Sequence, residues 1–456
     1  MNSWLEAALD YIPHWLEYQM RQTEQPGCVM AIAHAGAIRL DRAFGVADRR
    51  QATALTPRHR FRVASHSKSF TAAGIMKLRE QGRLRLDDPV GQYVDGLHPQ
   101  VAAATITQLL SHTAGLVRDG ADTGQWSDRR PFLSADEIRA DLADGPVIPA
   151  NTRMKYSNHG YGVLGFVIEA VTGEPFREWI AREIVAAAEL RETEPDMPLR
   201  IDAPFARGHG AMLPLGRRVV IPGDNPTGAL ASATGFVSTA ADLAHFFNQL
   251  APDSVTGLLS ADSRREMTRS QWPEAHSTGH RRYGLGIITG EIGAWSWFGH
   301  SGGFQGYITR TMTIPAQMLT VSVLTNAADG PAQNWAEGAC HILQGFAKFG
   351  APPAERADWN GRWWGLWGAV DLLATRDRIL VAAPGLANPL LDASEIELTE
   401  PDAGRITLAG SFANHGEPVR RERATDGAVT AIRLGGNRLL PEAVLAAELQ
   451  TRYEAG

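Results

Sequence analysis

Ser65-His66-Ser67-Lys68 is the most informative stretch of this sequence and begins a helix predicted over residues 65–81, which Gly82 ends. The sequence has only four lysines, so arginine carries nearly all of its positive charge. Arginine keeps its proton at working pH, whereas a lysine removed from water can release it. Because residues three apart share a helix face, the Ser65 hydroxyl and the Lys68 amine can meet. This spacing predicts a serine nucleophile activated by a lysine.

Composition predicts a soluble globular protein of more than one domain. The chain has 456 residues, of which 44% are hydrophobic and 21% are charged. That length exceeds one ordinary hydrophobic core and indicates two domains. The formal net charge is -6, and lysine and arginine form no long run, which argues against a nucleic-acid partner.

Cysteine usage and the N-terminal residues favour a cytoplasmic protein. Cys28 and Cys340 are far apart in sequence and are predicted to be reduced thiols. The first residues show neither the basic nor the apolar segment of a signal peptide. No apolar run reaches the roughly 18 residues needed to span a bilayer, so membrane insertion is not expected.

Hydrophobic periodicity predicts how the first 345 residues are organised. Residues 3–20 have the spacing of an amphipathic helix that packs on a sheet, and residues 29–33 and 38–40 form a predicted hairpin. An antiparallel meander is expected over residues 283–326, with strands at 283–290, 295–300, 307–314 and 319–324. A helix predicted at 331–346 closes this unit. The two ends of this region would build one sheet, with a helical segment inserted between them.

A small all-β domain is predicted after Pro352-Pro353, where the composition changes. The predicted domain boundaries are residues 1–348 and 355–456. Four tryptophans mark the start of the second domain: Trp359, Trp363, Trp364 and Trp367. Such a cluster can form a ligand platform, but packing into the core at the start of a sheet is the favoured interpretation.

Three further motifs accompany the serine and the lysine. They are Tyr156-Ser157-Asn158, His300-Ser301-Gly302-Gly303 and the segment L-L-S-H-T-A-G-L at residues 109–116. Taken singly, each has an ordinary structural explanation: Tyr156 as a core residue, Asn158 as a helix cap and His112 as a turn residue bonded to backbone. Their order and spacing together resemble the serine β-lactamase and penicillin-binding-protein superfamily, whose motifs are S-x-x-K, Y-x-N and K-T-G or H-x-G.

The resemblance covers roughly residues 10–345 and implies a role for each matching residue. Ser65 would form the acyl-enzyme, and Lys68 and Tyr156 would move its proton. Asn158 would orient Lys68 and bind the acyl side chain. The backbone N–H groups of Ser65 and Gly303 would form the oxyanion hole, with glycine at 303 allowing close approach of the substrate.

The motif at 300–303 departs from the β-lactamase pattern. His300 stands where those enzymes usually carry lysine, and Ser301 and Gly302 complete the implied substrate-binding strand. Histidine is largely neutral at pH 7 and would provide a weaker, pH-dependent handle for a substrate carboxylate. The site would therefore suit esters, amides or short peptides that present no carboxylate there.

The resemblance implies a fold of mixed helices and antiparallel sheet with an inserted helical subdomain, followed by a β domain that resembles barrel or lipocalin-like domains. The predicted function is a serine acyl-hydrolase of small esters or short, D-configured or L-configured, amides and peptides. Alternatives are a penicillin-binding-protein-type thioesterase or acyl transferase, a β-lactamase or D-Ala-D-Ala carboxypeptidase, and a non-catalytic binding protein. No cofactor and no metal are expected, and the sequence does not distinguish a monomer from a homo-oligomer.

Overall fold

The structure is a computed structural model that describes residues 3–200, 202–274, 280–410 and 413–454. Its helices are α1 (Ser3–Gln22), α2 (Ser67–Glu80), α3 (Pro99–Ala102), α4 (Ile106–Leu110), α5 (Ala135–Asp141), α6 (Asn158–Thr172), α7 (Phe176–Ile180), α8 (Ala240–Gln249), α9 (Ala261–Thr268), α10 (Ala332–Phe349), α11 (Ala354–Ala357) and α12 (Glu442–Tyr453). Its strands are β1 (Gly27–His34), β2 (Ala37–Asp48), β3 (Thr53–Ala54), β4 (Phe61–Arg62), β5 (Gly208–His209), β6 (Val220–Ile221), β7 (Val237–Ser238), β8 (Trp272–Pro273), β9 (Arg282–Tyr283), β10 (Ile288–Ile292), β11 (Trp295–Phe304), β12 (Tyr307–Ile314), β13 (Leu319–Thr325), β14 (Gly361–Gly365), β15 (Gly368–Ala374), β16 (Ile379–Ala382), β17 (Ser394–Glu400), β18 (Ala403–Leu408), β19 (Pro418–Arg423), β20 (Val429–Leu434) and β21 (Asn437–Leu439).

The chain divides into two compact units. The larger unit comprises residues 25–336, and the smaller unit comprises the residues before 25 and after 336. This division falls inside α10 and places α1 in the smaller unit. The boundary drawn from the sequence, between residues 348 and 355, stays a prediction.

A nine-stranded sheet organises the larger unit, in the order β3-β2-β1-β13-β12-β11-β10-β9-β8. Strand β1 pairs with β13 in antiparallel register, with Cys28 opposite Thr325 and His34 opposite Leu319. Both strands are almost entirely buried, as expected for strands in the middle of a sheet, and the buried hydroxyl groups of β13 include Thr320 and Ser322. The expectation that the two ends of this region build one sheet is therefore confirmed.

The predicted meander is present, with two differences in its strand boundaries. The predicted run 283–290 is wrong as a single strand, since β9 and β10 are separated by a turn at residues 284–287. In this turn Gly286 has φ +68°, and a Cβ there would lie 2.8 Å from the carbonyl oxygen of Lys68, so only glycine fits. Strand β11 also continues beyond His300 to Phe304.

The helical middle lies between the strands, and α2 is its central element. The predicted helix over 65–81 is confirmed: a 3₁₀ turn at Ala64–His66 leads into α2, and Gly82 follows with φ +68°. Nearly all of α2 is buried, including Phe70 and Ile75. A helix buried on most faces holds side chains such as Lys68 away from water.

The amphipathic N-terminal helix is confirmed as α1, and its polar partners lie in the smaller unit. Tyr11 donates a hydrogen bond to Asp371 Oδ2 at 2.8 Å, and Gln19 Nε2 donates to the carbonyl oxygen of Pro384 at 2.6 Å. These hydrogen bonds link α1 to residues that come more than 350 positions later in the sequence. The helix predicted at 331–346 is also present, as α10.

The smaller unit contains an eight-stranded antiparallel sheet whose strands follow chain order from β14 to β21. Its ends meet through two backbone hydrogen bonds of 2.8 Å between Trp364 and Leu440, which nearly close a barrel. The predicted C-terminal β domain is therefore confirmed. Helix α12 was not predicted, because it buries no residue and so lacks the apolar periodicity of a core helix.

Two other expectations can be compared with the structure. Cys28 and Cys340 are both buried and are not joined by a disulfide, as predicted. Within the described residues, no helix has both the length and the apolar character that crossing a membrane requires.

Candidate active site

Ser65 lies in the 3₁₀ turn that precedes α2. The preceding residue, Ala64, is buried and has φ +47°, a left-handed conformation that costs a non-glycine residue about 1 kcal/mol or more. Strand β11 packs against this turn, and a Cβ on Gly302 would lie 2.2 Å from the carbonyl oxygen of Val63. Because residue 302 is glycine, β11 can pack directly against the turn that carries Ser65.

Lys68 lies one turn further along, fully buried. Its Nζ is 2.7 Å from Asn158 Oδ1, 2.8 Å from the carbonyl oxygen of Ala233 and 3.2 Å from Ser65 Oγ. Burial lowers the pKa of Lys68 well below its ordinary value, and the positive charge of Arg118 adds to this, while Asp119 opposes it. A neutral amine is therefore favoured over an ammonium ion.

The neighbours of this amine determine which way its lone pair points. A neutral lysine has two N–H hydrogens and one lone pair. Asn158 Oδ1 and the carbonyl oxygen of Ala233 can only accept, so they take both hydrogens. The lone pair then faces Ser65 Oγ, where it can accept the hydroxyl proton.

Tyr156 completes the contacts of the serine. Its hydroxyl donates to Ser65 Oγ at 2.9 Å, and its ring lies 4.8 Å from Lys68 Nζ. Burial raises the pKa of Tyr156 above its ordinary value, so the phenol keeps its proton. The Ser65 hydroxyl thus accepts a hydrogen bond from Tyr156 and also contacts the Lys68 amine.

Asn158 is the first residue of α6, and the helix cap is its neighbour. Ser157 Oγ accepts from the N–H of Gly160 at 2.9 Å, which leaves the Asn158 side chain free to reach Lys68. Asn158 Nδ2 donates to Asp119 Oδ1 at 2.5 Å, which fixes the amide with its oxygen towards the lysine. The interpretation of Asn158 as a helix cap is therefore wrong.

Asp119 was not identified from the sequence. Besides Asn158, it accepts hydrogen bonds from Trp126 Nε1 at 3.0 Å and pairs with Arg118 at 3.0 Å. The residue lies three positions after the L-L-S-H-T-A-G-L segment, in a loop with no motif of its own. Only its position between Asn158 and Arg118 reveals a link to the site.

The acceptor at Ala233 is a backbone atom and could not be identified from residue type. It belongs to a π-type turn at Ala231–Gly235. Ser232 ties this turn to two helices: its hydroxyl donates to the carbonyl oxygen of Tyr161 in α6, and its own carbonyl oxygen accepts from Thr71 Oγ1 in α2, both at 2.7 Å. The turn is thereby held where its carbonyl group meets Lys68.

The last residues of β11 border the site, and one edge of the strand is unpaired there in the described part of the chain. Strand β10 pairs with β11 only as far as Gly299, and in the described part of the chain no strand pairs with the same edge beyond it. Ser301 is half-buried and Gly303 is exposed, whereas Gly302 is buried against the serine turn. A Cβ on Gly303 would make only an ordinary contact, 3.6 Å from Ile308 Cδ1, so the protein itself does not require glycine there.

His300 is buried and cannot act as the pH-dependent cation expected from the sequence. Its Nε2 lies 2.9 Å from the hydroxyl of Tyr283. Burial lowers the pKa of His300 well below its ordinary value, and the positive charge of Arg310 lowers it further. Burial therefore disfavours the protonated ring, and the neutral ring can exchange hydrogen bonds with its neighbours.

Two more buried histidines flank the site, and burial lowers the pKa of both. His112 has φ +59° and its Nδ1 accepts from the N–H of Ser157 at 3.2 Å, which confirms the interpretation as a turn residue bonded to backbone. Its ring packs 4.1 Å from the ring centre of Tyr156. Burial lowers the pKa of His66 to about 3. These histidines contribute hydrogen bonds and ring packing to the site.

A cleft of about 520 Å³ opens onto these groups. Its inner lining includes Ser65, Tyr156, Asn158, His300, Ser301 and Gly303. Its charged lining comprises Arg118, Asp119, Glu274, Arg281 and Arg282. Lys68 and Gly302 lie behind this surface and are buried. The nucleophile therefore faces the cleft, and its base is shielded from water.

Replacing charges beside Lys68 should shift the pH dependence of any activity of Ser65 in opposite directions. Asp119 raises the pKa of Lys68, so Asp119→Asn lowers that pKa and moves the acidic limb of the kcat/KM profile to lower pH. Arg118→Gln removes a positive charge, so the limb moves to higher pH. Asparagine keeps an acceptor for Asn158, which preserves the hydrogen bond. The pH profiles of the variants measure both shifts.

The matched control for these charge changes is Asp87→Asn, which removes an exposed carboxylate paired with Arg85. In this control the acidic limb of the kcat/KM profile should lie at the same pH as in the wild type. Shifts of the same sign in the Asp119 and Arg118 variants would contradict Lys68 as the group that titrates.

Comparison with known proteins identifies the family and agrees with the fold. A family model described as Beta-lactamase matches residues 12–339. Penicillin-binding protein 4 of Amycolatopsis lactamdurans is 29% identical over 339 residues, which cover 69% of this chain and 84% of that protein. The chain spans only 36% of the length of Staphylococcus aureus relatives that it matches at 27% identity over 182 residues.

Solved structures with the same fold cover one or both units. The octameric penicillin-binding protein homologue from Pyrococcus abyssi has a TM-score of 0.66 at 23% identity and covers 95% of this chain and 99% of its own. D-amino acid amidase from Ochrobactrum anthropi has a TM-score of 0.65 at 22% identity and covers 75% of this chain and 99% of its own. The chain belongs to the beta-lactamase family, with a C-terminal barrel unit.

Proposed function

We propose that the protein is a serine acyl-hydrolase that forms an acyl-enzyme on Ser65. The observation that carries this proposal is the buried Lys68 amine, whose Nζ lies 3.2 Å from Ser65 Oγ and contacts two groups that can only accept, Asn158 Oδ1 at 2.7 Å and the carbonyl oxygen of Ala233 at 2.8 Å. Family membership supports the same chemistry. A binding protein without catalysis would have no need for a buried, neutral lysine beside an accessible hydroxyl.

The proposed reaction has two acyl-transfer steps. Ser65 Oγ attacks the substrate carbonyl carbon while its proton passes to Lys68 Nζ, and the oxyanion faces the N–H groups of Ser65 and Gly303. When the bond to the leaving group breaks, Tyr156 gives that group a proton and regains one from Lys68. Water then attacks the acyl carbon, losing its proton to the same pair of groups, and Ser65 is released with its hydroxyl restored.

The proposed substrates are small esters and short amides or peptides, including D-configured ones. A neutral His300 offers no fixed cation for a carboxylate at that point of the cleft. The size of the cleft suits a small molecule or a short peptide end. The structural likeness to a D-amino acid amidase supports an amide with a D-configured residue on the acyl side.

A substrate panel with mass spectrometry tests the function. The protein would be assayed with p-nitrophenyl esters, D- and L-amino acid p-nitroanilides and nitrocefin, with intact mass recorded during turnover. We expect hydrolysis of an ester or amino acid anilide well above that of nitrocefin, and an acyl mass adduct absent from Ser65→Ala. Adding an amine acceptor separates hydrolysis from acyl transfer through the products. No turnover and no labelling of Ser65 by a fluorophosphonate would overturn the proposal. The cytoplasmic location stays a prediction.

A further inference from the structure

The tip between β14 and β15 exposes two large apolar side chains. Leu366 is 64% exposed and Trp367 is 95% exposed, whereas Trp359 at the start of the same domain is 2% exposed. Core packing, the interpretation favoured from the sequence, holds for Trp359 and is wrong for Trp367. An exposed tryptophan that belongs to a larger apolar patch marks a binding surface, whereas one standing alone would not.

These two residues border a cavity of about 760 Å³ that is lined entirely by residues of the smaller unit. Two other exposed leucines, Leu386 and Leu391, line the same cavity. Four large apolar side chains thus share one opening instead of being scattered over the surface. Small-molecule sites have volumes of about 300–1,000 Å³ and mostly apolar walls.

Helix α12 forms one wall of this cavity without closing it. Leu445 and Leu449 are four residues apart, share a helix face and line the cavity, but both remain only half-buried. In the described part of the chain no residue of α12 is buried. Since protein interiors are close-packed, a helix that leaves this much apolar space beneath Leu445 and Leu449 indicates room for a ligand.

Polar groups are few and lie among the apolar ones. Asn414 and Asn437 line the cavity, together with two basic residues, Arg438 and Arg452, and two acidic ones, Asp392 and Glu448. The charges balance, so the lining selects an apolar body and not a strongly charged ligand. Amide and guanidinium groups can still bind a polar end by hydrogen bonds.

We infer that this cavity binds the aliphatic chain of an acyl amphiphile, with the polar end of the amphiphile at the asparagine and arginine side chains. The four exposed apolar residues and the face of α12 would be covered by the bound chain. The site is separate from the Ser65 cleft in its residues, and its ligand need not be a substrate.

Binding to the full-length protein tests this inference. Unbranched fatty acids from octanoate to hexadecanoate would be titrated below their micellar concentrations, and binding would be followed by calorimetry. Monolauroylglycerol, which has the acyl chain of laurate but no charge, would be titrated for comparison. We expect saturable binding that strengthens about fourfold per methylene, then stops strengthening once the cavity is filled. Similar affinity for laurate and monolauroylglycerol would assign the recognition to the chain, and a marked preference for laurate would assign a share to Arg438 or Arg452.

Variants on one helix separate cavity binding from surface adsorption. Leu449→Glu places a charge inside the cavity and should weaken binding at least tenfold. Val444→Glu, at an exposed position of α12 outside the cavity lining, is the matched control and should bind like the wild type. Absence of saturable binding, no limit with chain length, or equal weakening by the two variants would overturn the inference.

Discussion

Ser65→Ala is expected to abolish turnover and acyl-enzyme formation, with a loss on the order of 10⁵-fold or more, as for nucleophile removal in other serine hydrolases. The hydroxyl is the atom that would form the covalent bond, and both Lys68 and Tyr156 are aimed at it. The fold should stay intact, because the removed oxygen faces the cleft and water can replace it. Thermal unfolding and intact-mass measurements check both parts.

Ser69→Ala is the matched control for this change. Ser69 lies on the same helix, but its hydroxyl is buried and donates to the carbonyl oxygen of Gly286 at 2.7 Å. Its removal should lower stability by about 1–2 kcal/mol and leave the acyl-enzyme adduct in place. An adduct that persists in Ser65→Ala would exclude Ser65 as the nucleophile.

Lys68→Arg should be as damaging as Lys68→Ala, with losses of about 10²–10⁴-fold in kcat. The proposed role needs a lone pair, and arginine does not release its proton in proteins. Arginine would also place a longer side chain and a permanent charge at a position that is fully buried. Steady-state kinetics of the two variants measure the comparison.

Lys77→Arg, on the same helix, controls for the effect of arginine on α2. Lys77 is half-exposed and bonds to Glu183, and arginine can make the same bonds. This variant should keep near-normal activity. Near-normal activity in Lys68→Arg itself would mean that Lys68 acts through charge or packing and not as a base.

Local sequence information was sufficient for the elements that carry the site. The serine-lysine helix, the β1–β2 hairpin, the meander and the C-terminal β domain follow from periodicity and from glycine and proline positions, which act over a few residues. The boundaries were less certain. The turn at 284–287 looks like strand from residue types and is broken because Gly286 must pass close to Lys68.

The sequence by itself also determined which side chains carry the proposed chemistry: Ser65, Lys68, Tyr156 and Asn158 come from motif order alone. The proton equilibria of these side chains, and the groups that hold them in position, depend on the tertiary structure. Burial, which depends on the whole fold, favours the neutral form of Lys68 and keeps His300 from acting as a cation. Asp119 and the carbonyl oxygen of Ala233 carry no motif, because a loop carboxylate or a backbone oxygen gains its role only from the groups that folding brings within hydrogen-bonding distance.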